Sequence, residues 1–179
     1  MKRALSAIGI AAAILAGCSS GDDAMTALCP GGGIVPDLNL LVRFREGPGR
    51  DVTDVVVQGK VADIRIDCDY PKGRNAKPGV AVDLQVAIAA ERGPADRTRK
   101  ASLPYFVAIV DRDRNIAQKF YFNAEFEWKD NRPVVGRTDR HELNIPLRSN
   151  FDGPSYQIFV GFQLDEAELD WNRKQRGAQ

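Results

Sequence analysis

The chain has 179 residues, of which 44% are apolar and 27% charged, with a formal net charge of +1. That composition is globular; it excludes a chain disordered throughout and suits one domain better than two. The near-neutral balance carries no basic excess of the kind that draws a protein to nucleic acid, so no such partner is expected.

The N-terminus reads as an address. Lys2 and Arg3 form a positive n-region, and Ala4 to Leu15 is a mostly apolar run. At about a dozen residues it has the length of a signal h-region, too short for a membrane span. Leu15-Ala16-Gly17-Cys18 follows, small residues leading to a cysteine. This stretch resembles the lipobox of bacterial lipoproteins. The resemblance implies removal of residues 1–17, thioether attachment of a diacylglycerol to Cys18, and acylation of the new amine. Each buried lipid methylene contributes about 0.8 kcal/mol, so two or three acyl chains hold a protein where one would not. Ser19 follows the cysteine, with no Asp there; by resemblance to lipoprotein sorting, this places the protein at the outer membrane, facing the periplasm. Loss of Lys2 and Arg3 leaves 23 basic against 24 acidic side chains, a balance of −1.

Residues 18–33 lack sustained periodicity and read as a lipidated end and flexible tether. Gly31-Gly32-Gly33 is followed by Ile34-Val35-Pro36 rather than Lys-Ser/Thr, so a phosphate-cradling loop is rejected. Cys29 and Cys68 remain once Cys18 is lipidated. In an oxidising compartment they are expected to pair as a disulfide closing about forty residues. Together with the lone His141 they are too few for a structural zinc site, and no metal or cofactor is expected.

Residues 34–172 form the expected domain, an all-β, immunoglobulin- or fibronectin-like antiparallel sandwich of about seven strands, with an eight-stranded barrel as the rival. Apolar residues alternate along 38–44 (Leu38, Leu40, Val42, Phe44), 80–88, 120–128, 141–147 and 156–164, the pattern of half-buried strands. Tyr105 to Val110 is uninterruptedly apolar, as in a strand covered on both sides. Along 55–68 the phase slips from odd (Val55, Val57, Val61) to even (Ile64, Ile66, Cys68), predicting a β-bulge near Ala62-Asp63 with Cys68 pointing inward. Gly47-Pro48-Gly49, Pro71 to Gly79, Gly93-Pro94, Asp111 to Asn115 and Gly153-Pro154 mark the turns.

One helix is predicted at the C-terminus. Asp165 and Glu168 form a capping box flanked by the Leu164/Leu169 staple. Two turns should end near Asn172 or Arg173, with Ala167 and Trp171 packed on the sandwich and residues 173–179 frayed.

The body also resembles a family of short uncharacterised envelope lipoproteins of proteobacteria. The matching stretches are Cys29-Pro30, Asp51 to Val55, Cys68-Asp69-Tyr70, Pro104 to Ala108 and Val160 to Leu164. The resemblance supports lipoprotein identity and assigns no catalytic residue.

The chemistry-bearing candidates are few. His141 is in phase with Leu143 and Ile145 and reads as a partly buried strand residue with a hydrogen-bond partner; Ser149 and Ser155 have no Gly-x-Ser-x-Gly elbow around them. Asp111, Asp113 and Asn115 alternate as calcium ligands do, but Ile116 and Phe122 stand where an EF-hand needs Gly and Glu, so a polar turn is expected. Glu125 and Glu127 share the wet face of one strand. Arg92, Arg97, Arg99 and Lys100 form a basic loop diluted by Glu91 and Asp96. Phe159 faces outward beside Gly161, where either the C-terminal helix covers it or it marks a partner surface, cover by the helix being the simpler expectation. These features predict a membrane-anchored, non-enzymatic module with a so far unidentified envelope protein as partner. A lipoprotein that binds a lipid or other small apolar ligand is the alternative.

Overall fold

A computed structural model describes residues 28–73 and 75–177. Residues 1–27, including the expected signal and Cys18, and residues 178 and 179 lie outside the described residues. Eight strands form two four-stranded sheets. They are β1 (Gly31–Ile34), β2 (Leu40–Phe44), β3 (Val55–Asp69), β4 (Gly79–Arg92), β5 (Lys100–Val110), β6 (Ile116–Glu127), β7 (Val134–Pro146) and β8 (Gln157–Phe162), followed by the helix α1 (Glu166–Gly177). One sheet has the order β1-β8-β5-β6 and the other β2-β3-β4-β7. All pairings are antiparallel except β1 with β8. The consecutive strands β4 and β5 sit in different sheets and pair with β7 and β8, also consecutive and also split. This interlocked pair of pairs is the arrangement of strands B, C, E and F in immunoglobulin-type sandwiches. The architecture is thus a sandwich and not a barrel.

Alternation drives the packing. Val80, Val82, Leu84, Val86, Ile88 and Ala90 of β4 are buried and face Leu103, Tyr105, Val107 and Ile109 of β5 across the interior. Ile158, Val160 and Phe162 of β8 and Ala124, Phe126 and Trp128 at the end of β6 complete one continuous core. As the unbroken apolar run requires, Phe106 and Ala108 are buried as well, on the outer face of β5. The expected bulge is present, with the β3–β4 register slipping between Val61 and Asp63. It returns Ile64, Ile66 and Cys68 to the core side, where all three pack against the buried cluster.

Five expectations are corrected. The tether does not extend to residue 33, because Gly31–Ile34 pairs in parallel with Gln157–Val160. In β2 the phase is reversed. Leu41 is fully buried, whereas Leu40 is exposed and Val42 and Phe44 face outward under the helix. The alternation there is real, but α1 covers its apolar face and the opposite sheet does not. The helix is longer than two turns and includes residues 173–177. Its capping box forms as expected, with Glu168 N–H donating to Asp165 Oδ1 at 2.7 Å and Asp165 N–H to Glu168 Oε2 at 3.0 Å. Trp171 packs edge-on against Phe44 at 4.9 Å between centroids, but Ala167 is exposed. Finally, α1 packs on β2 and the 3-10 turn Pro36–Leu38, and half-buried Phe159 lies instead beside Gly33.

Candidate functional site

Three regions carry chemistry-bearing or exposed groups. The first is the corner from which the chain leads back toward Cys18. Cys29 and Cys68 are bonded, with their Cα atoms 5.7 Å apart. The bridge ties the start of the described chain to the end of β3. The Tyr70 hydroxyl donates to Leu28 O at 2.8 Å. Tyr70 OH and Leu28 O both lie against Gly153, where a Cβ would collide with the phenol. Partial burial pushes the Tyr70 pKa above its ordinary value. Gly153 belongs to the 3-10 segment Asn150–Ser155, opened by a Ser149/Asp152 capping box. That segment also touches the β5–β6 hairpin, through Arg112 with Asp152 at 3.8 Å, and the start of β4, through Gly79 N–H donating to Asn150 Oδ1 at 3.2 Å. One end of the sandwich therefore gathers the disulfide, the hairpin and this segment. Leu28 and Phe151 are exposed there by 70% and 66%.

The second region is a polar cluster on the open side of the sandwich, where β6 and β7 are the unpaired edges of the two sheets. The fully buried Tyr105 places its hydroxyl 2.8 Å from both Asp139 Oδ2 and His141 Nε2. The phenol has one proton, which it donates to the carboxylate; it accepts the second bond, so His141 holds its proton on Nε2. The imidazole stacks on Phe122 at 3.9 Å between centroids, and Arg137 Nε donates to Asp139 Oδ1 at 2.7 Å. Burial and then the Asp139 carboxylate push the Tyr105 phenol far above its usual range. Burial lowers the His141 pKa, and the nearby Asp139 only partly opposes this. Inward-pointing charges on an edge strand also protect it from pairing with another sheet.

The depressed His141 pKa has a thermodynamic consequence. Above about pH 6.5 both folded and unfolded chains carry neutral imidazole. As pH falls through that value, the unfolded chain takes up the proton first, so the folded state loses stability until its own imidazole titrates. Urea unfolding should show wild type losing more stability between pH 7.5 and 5 than His141→Gln. Equal losses would mean that the imidazole is not held neutral by the fold.

The third region flanks α1. Clefts of about 480 and 490 Å³ open on either side of the helix and share Val42, Phe44 and Trp171 as walls. Arg43 clamps the helix to the sheet edge, donating to Glu168 Oε1 at 3.0 Å and to Ser102 O at 2.8 Å. Asn172 Nδ2 donates to Asp37 O and Leu40 O.

The remaining candidates serve local structure. Asp111 Oδ1 accepts from the N–H groups of Asp113 and Asn115, closing the hairpin turn in which Arg114 has φ +66°. Ser149 caps its 3-10 segment, accepting from Phe151 N–H. Glu125 accepts from the Ser102 hydroxyl, and Glu127 is exposed. In the basic loop, Asp96 does more than dilute charge. Buried beneath the loop, it accepts from Thr98 N–H and hydroxyl, Arg99 N–H and Arg92 Nε. Burial alone would raise its pKa, but these bonds hold it below the ordinary carboxylate value. Arg99 in turn donates to Trp128 O and Asp130 O, leaving Arg97 and Lys100 as the exposed cations of the loop. The cluster of Tyr105, Asp139 and His141 was only half visible in the sequence. His141 was in phase with its strand, but its partner Tyr105 lies in the opposite sheet.

Among the described residues no group of three His, Cys, Asp or Glu side chains could hold a metal ion, and no helix is long and apolar enough to cross a membrane. Comparison with known protein families, characterised proteins and solved structures returns no significant match to the chain.

Proposed function

We propose that the chain is a cell-envelope lipoprotein, held to a membrane through Cys18, whose sandwich acts as a non-enzymatic interaction module on the periplasmic side. The observation that carries this reading is Leu15-Ala16-Gly17-Cys18 behind a charged n-region and a short apolar core. Two features of the domain suit it. The chain enters the domain through a disulfide, the bond expected of an exported protein. His141, the one histidine in the sequence, is engaged by a buried phenol and a stacked ring rather than paired with a nucleophile. The core is filled by side chains from both sheets, and the clefts open at the surface. That favours recognition by the outer surface over a ligand carried inside.

The test is the state of Cys18. Mass spectrometry of the mature N-terminus should find diacylglycerol on that sulfur, and Cys18→Ser should move the protein from the membrane to the soluble fraction. An intact, unmodified Met1–Cys18 segment on soluble wild-type protein would overturn the proposal.

A further inference from the structure

The two outer faces of the sandwich differ sharply. On the outer face of the β2-β3-β4-β7 sheet stand Lys60, Asp63, Arg65, Asp67, Asp83, Arg140 and Glu142, an ordinary solvated surface. The β1-β8-β5-β6 sheet is different over the half nearest the disulfide. Its outward residues there fall in three rows across the strands. The first row is Gly31, Gln157, Val110 and Ile116; the second is Gly33, Phe159, Ala108 and Lys119; the third is Gly161, Phe106 and Tyr121. No carboxylate occurs in these rows. Ile116 and Tyr121 are exposed by 60% and 63%. Lys119 Nζ lies 4.3 Å from the Phe106 ring centroid and 5.2 Å from that of Tyr121. Among the described residues it makes no salt bridge. The glycines keep the β1–β8 side flat. A shallow notch of about 630 Å³ deepens the surface beside Phe106, between Lys119 and Leu169.

We infer that this half-sheet is a membrane-docking surface that rests on the headgroup region of a phospholipid bilayer, with Tyr121, Phe159 and Ile116 at the acyl boundary and Lys119 on lipid phosphate. The inference rests on the lipid anchor proposed above. Three observations carry it. First, the chain leaves the domain at the corner of this face, since Leu28, Cys29 and Pro30 immediately precede β1 and Leu28 is exposed. Second, nine residues lie between Cys18 and Leu28, so the two can be at most about 35 Å apart. That is roughly the length of a small domain, so the anchored body stays within about one domain length of the bilayer. Third, aromatic rings beside an unpaired lysine, with no acid within the rows themselves, are the chemistry of membrane interfaces. Burying a half-exposed apolar patch next to a tether needs little intrinsic affinity, because the anchor keeps the effective concentration high.

The test uses the full lipidated chain in vesicles of phosphatidylethanolamine and phosphatidylglycerol, with a fraction of lipid carrying a headgroup nitroxide. A fluorophore is attached in turn at Asn123→Cys, one row beyond Tyr121 on the same outer face, and at Glu142→Cys, on the solvated face. Glu142 lies nearer the disulfide end along its strand than Asn123 does, so tether proximity alone would quench it at least as strongly. Docking predicts at least twofold greater quenching at position 123. It also predicts that Ile116→Asp with Tyr121→Asp abolishes the difference while the protein still floats with the vesicles. Equal quenching in the otherwise unaltered chain, or stronger quenching at 142, would overturn the docking surface and leave the anchor standing. Crosslinking of position 123 between two copies without quenching would assign the face to a dimer, and would also overturn it. Failure to float, with no lipid mass on Cys18, would remove the anchor and the docking surface together.

Discussion

Replacing Cys29 and Cys68 together by alanine is expected to destabilise the protein by about 3–4 kcal/mol, among the largest effects of any small change in the chain. The bridge spans a sequence separation of 39. In the chain-entropy model a loop of that length frees the unfolded state by about 4 kcal/mol when opened. Loosening the chain start would also weaken the Tyr70–Leu28 hydrogen bond and the seat of β1. For a domain of this size the midpoint of thermal unfolding should fall by roughly 10 °C. Scanning calorimetry of the double variant, and of wild type under reductant, checks this. Both should fall together, and a shift under about 2 °C in either would show that the bridge constrains little. Mass spectrometry without reductant should recover the Cys29–Cys68 peptide pair.

Trp128→Ala should cost about 3–5 kcal/mol, the range for deleting a large buried aromatic side chain. Trp128 is 2% exposed and plugs the end of the sandwich opposite the disulfide. Its Nε1–H donates to Pro133 O at 2.8 Å, an oxygen that also accepts from Arg92 N–H. Its own carbonyl accepts from Arg99 Nε. The indole thus joins the core to the 93–99 loop that Asp96 organises and to the β6–β7 connection. Trp128→Phe retains most of the apolar burial and loses the hydrogen bond, so about 1–2 kcal/mol is expected. Urea unfolding of both variants separates the packing and hydrogen-bond contributions. Similar losses in the two would mean that the bond to Pro133, and not the filled volume, is what matters.

The sequence was most informative where one physical rule acted alone. The doubly apolar Tyr105–Val110 strand, the phase slip at Ala62-Asp63 and the Asp165/Glu168 capping box are all where the residues predict them. Local rules gave way where two explanations share one pattern. In β2, alternation says that one face is apolar but not which layer covers it, and the covering layer is α1, encoded more than a hundred residues later. β1 was invisible because three glycines have no side chains to alternate. Its pairing comes from β8, and no sequence periodicity reports a partner strand. The Tyr105–Asp139–His141 cluster was hidden for the same reason, since its members meet only when the two sheets close. The carboxylate-free half of that outer face required the register of four strands, which fixes which residues share a side.

The parallel pairing of β1 with β8 also dictates an order of assembly. The first strand of the domain has no neighbour other than the last, and β5 lies between β6 and that same last strand. A nascent chain that stops before Gln157 can form the meander of β2, β3 and β4 and add β7, but it leaves β5 with one open edge and residues 31–34 with nowhere to pair. Contacts this distant in sequence form slowly. Completion therefore waits for the final segment, and until it arrives neither the first strand nor the free edge of β5 has its partner.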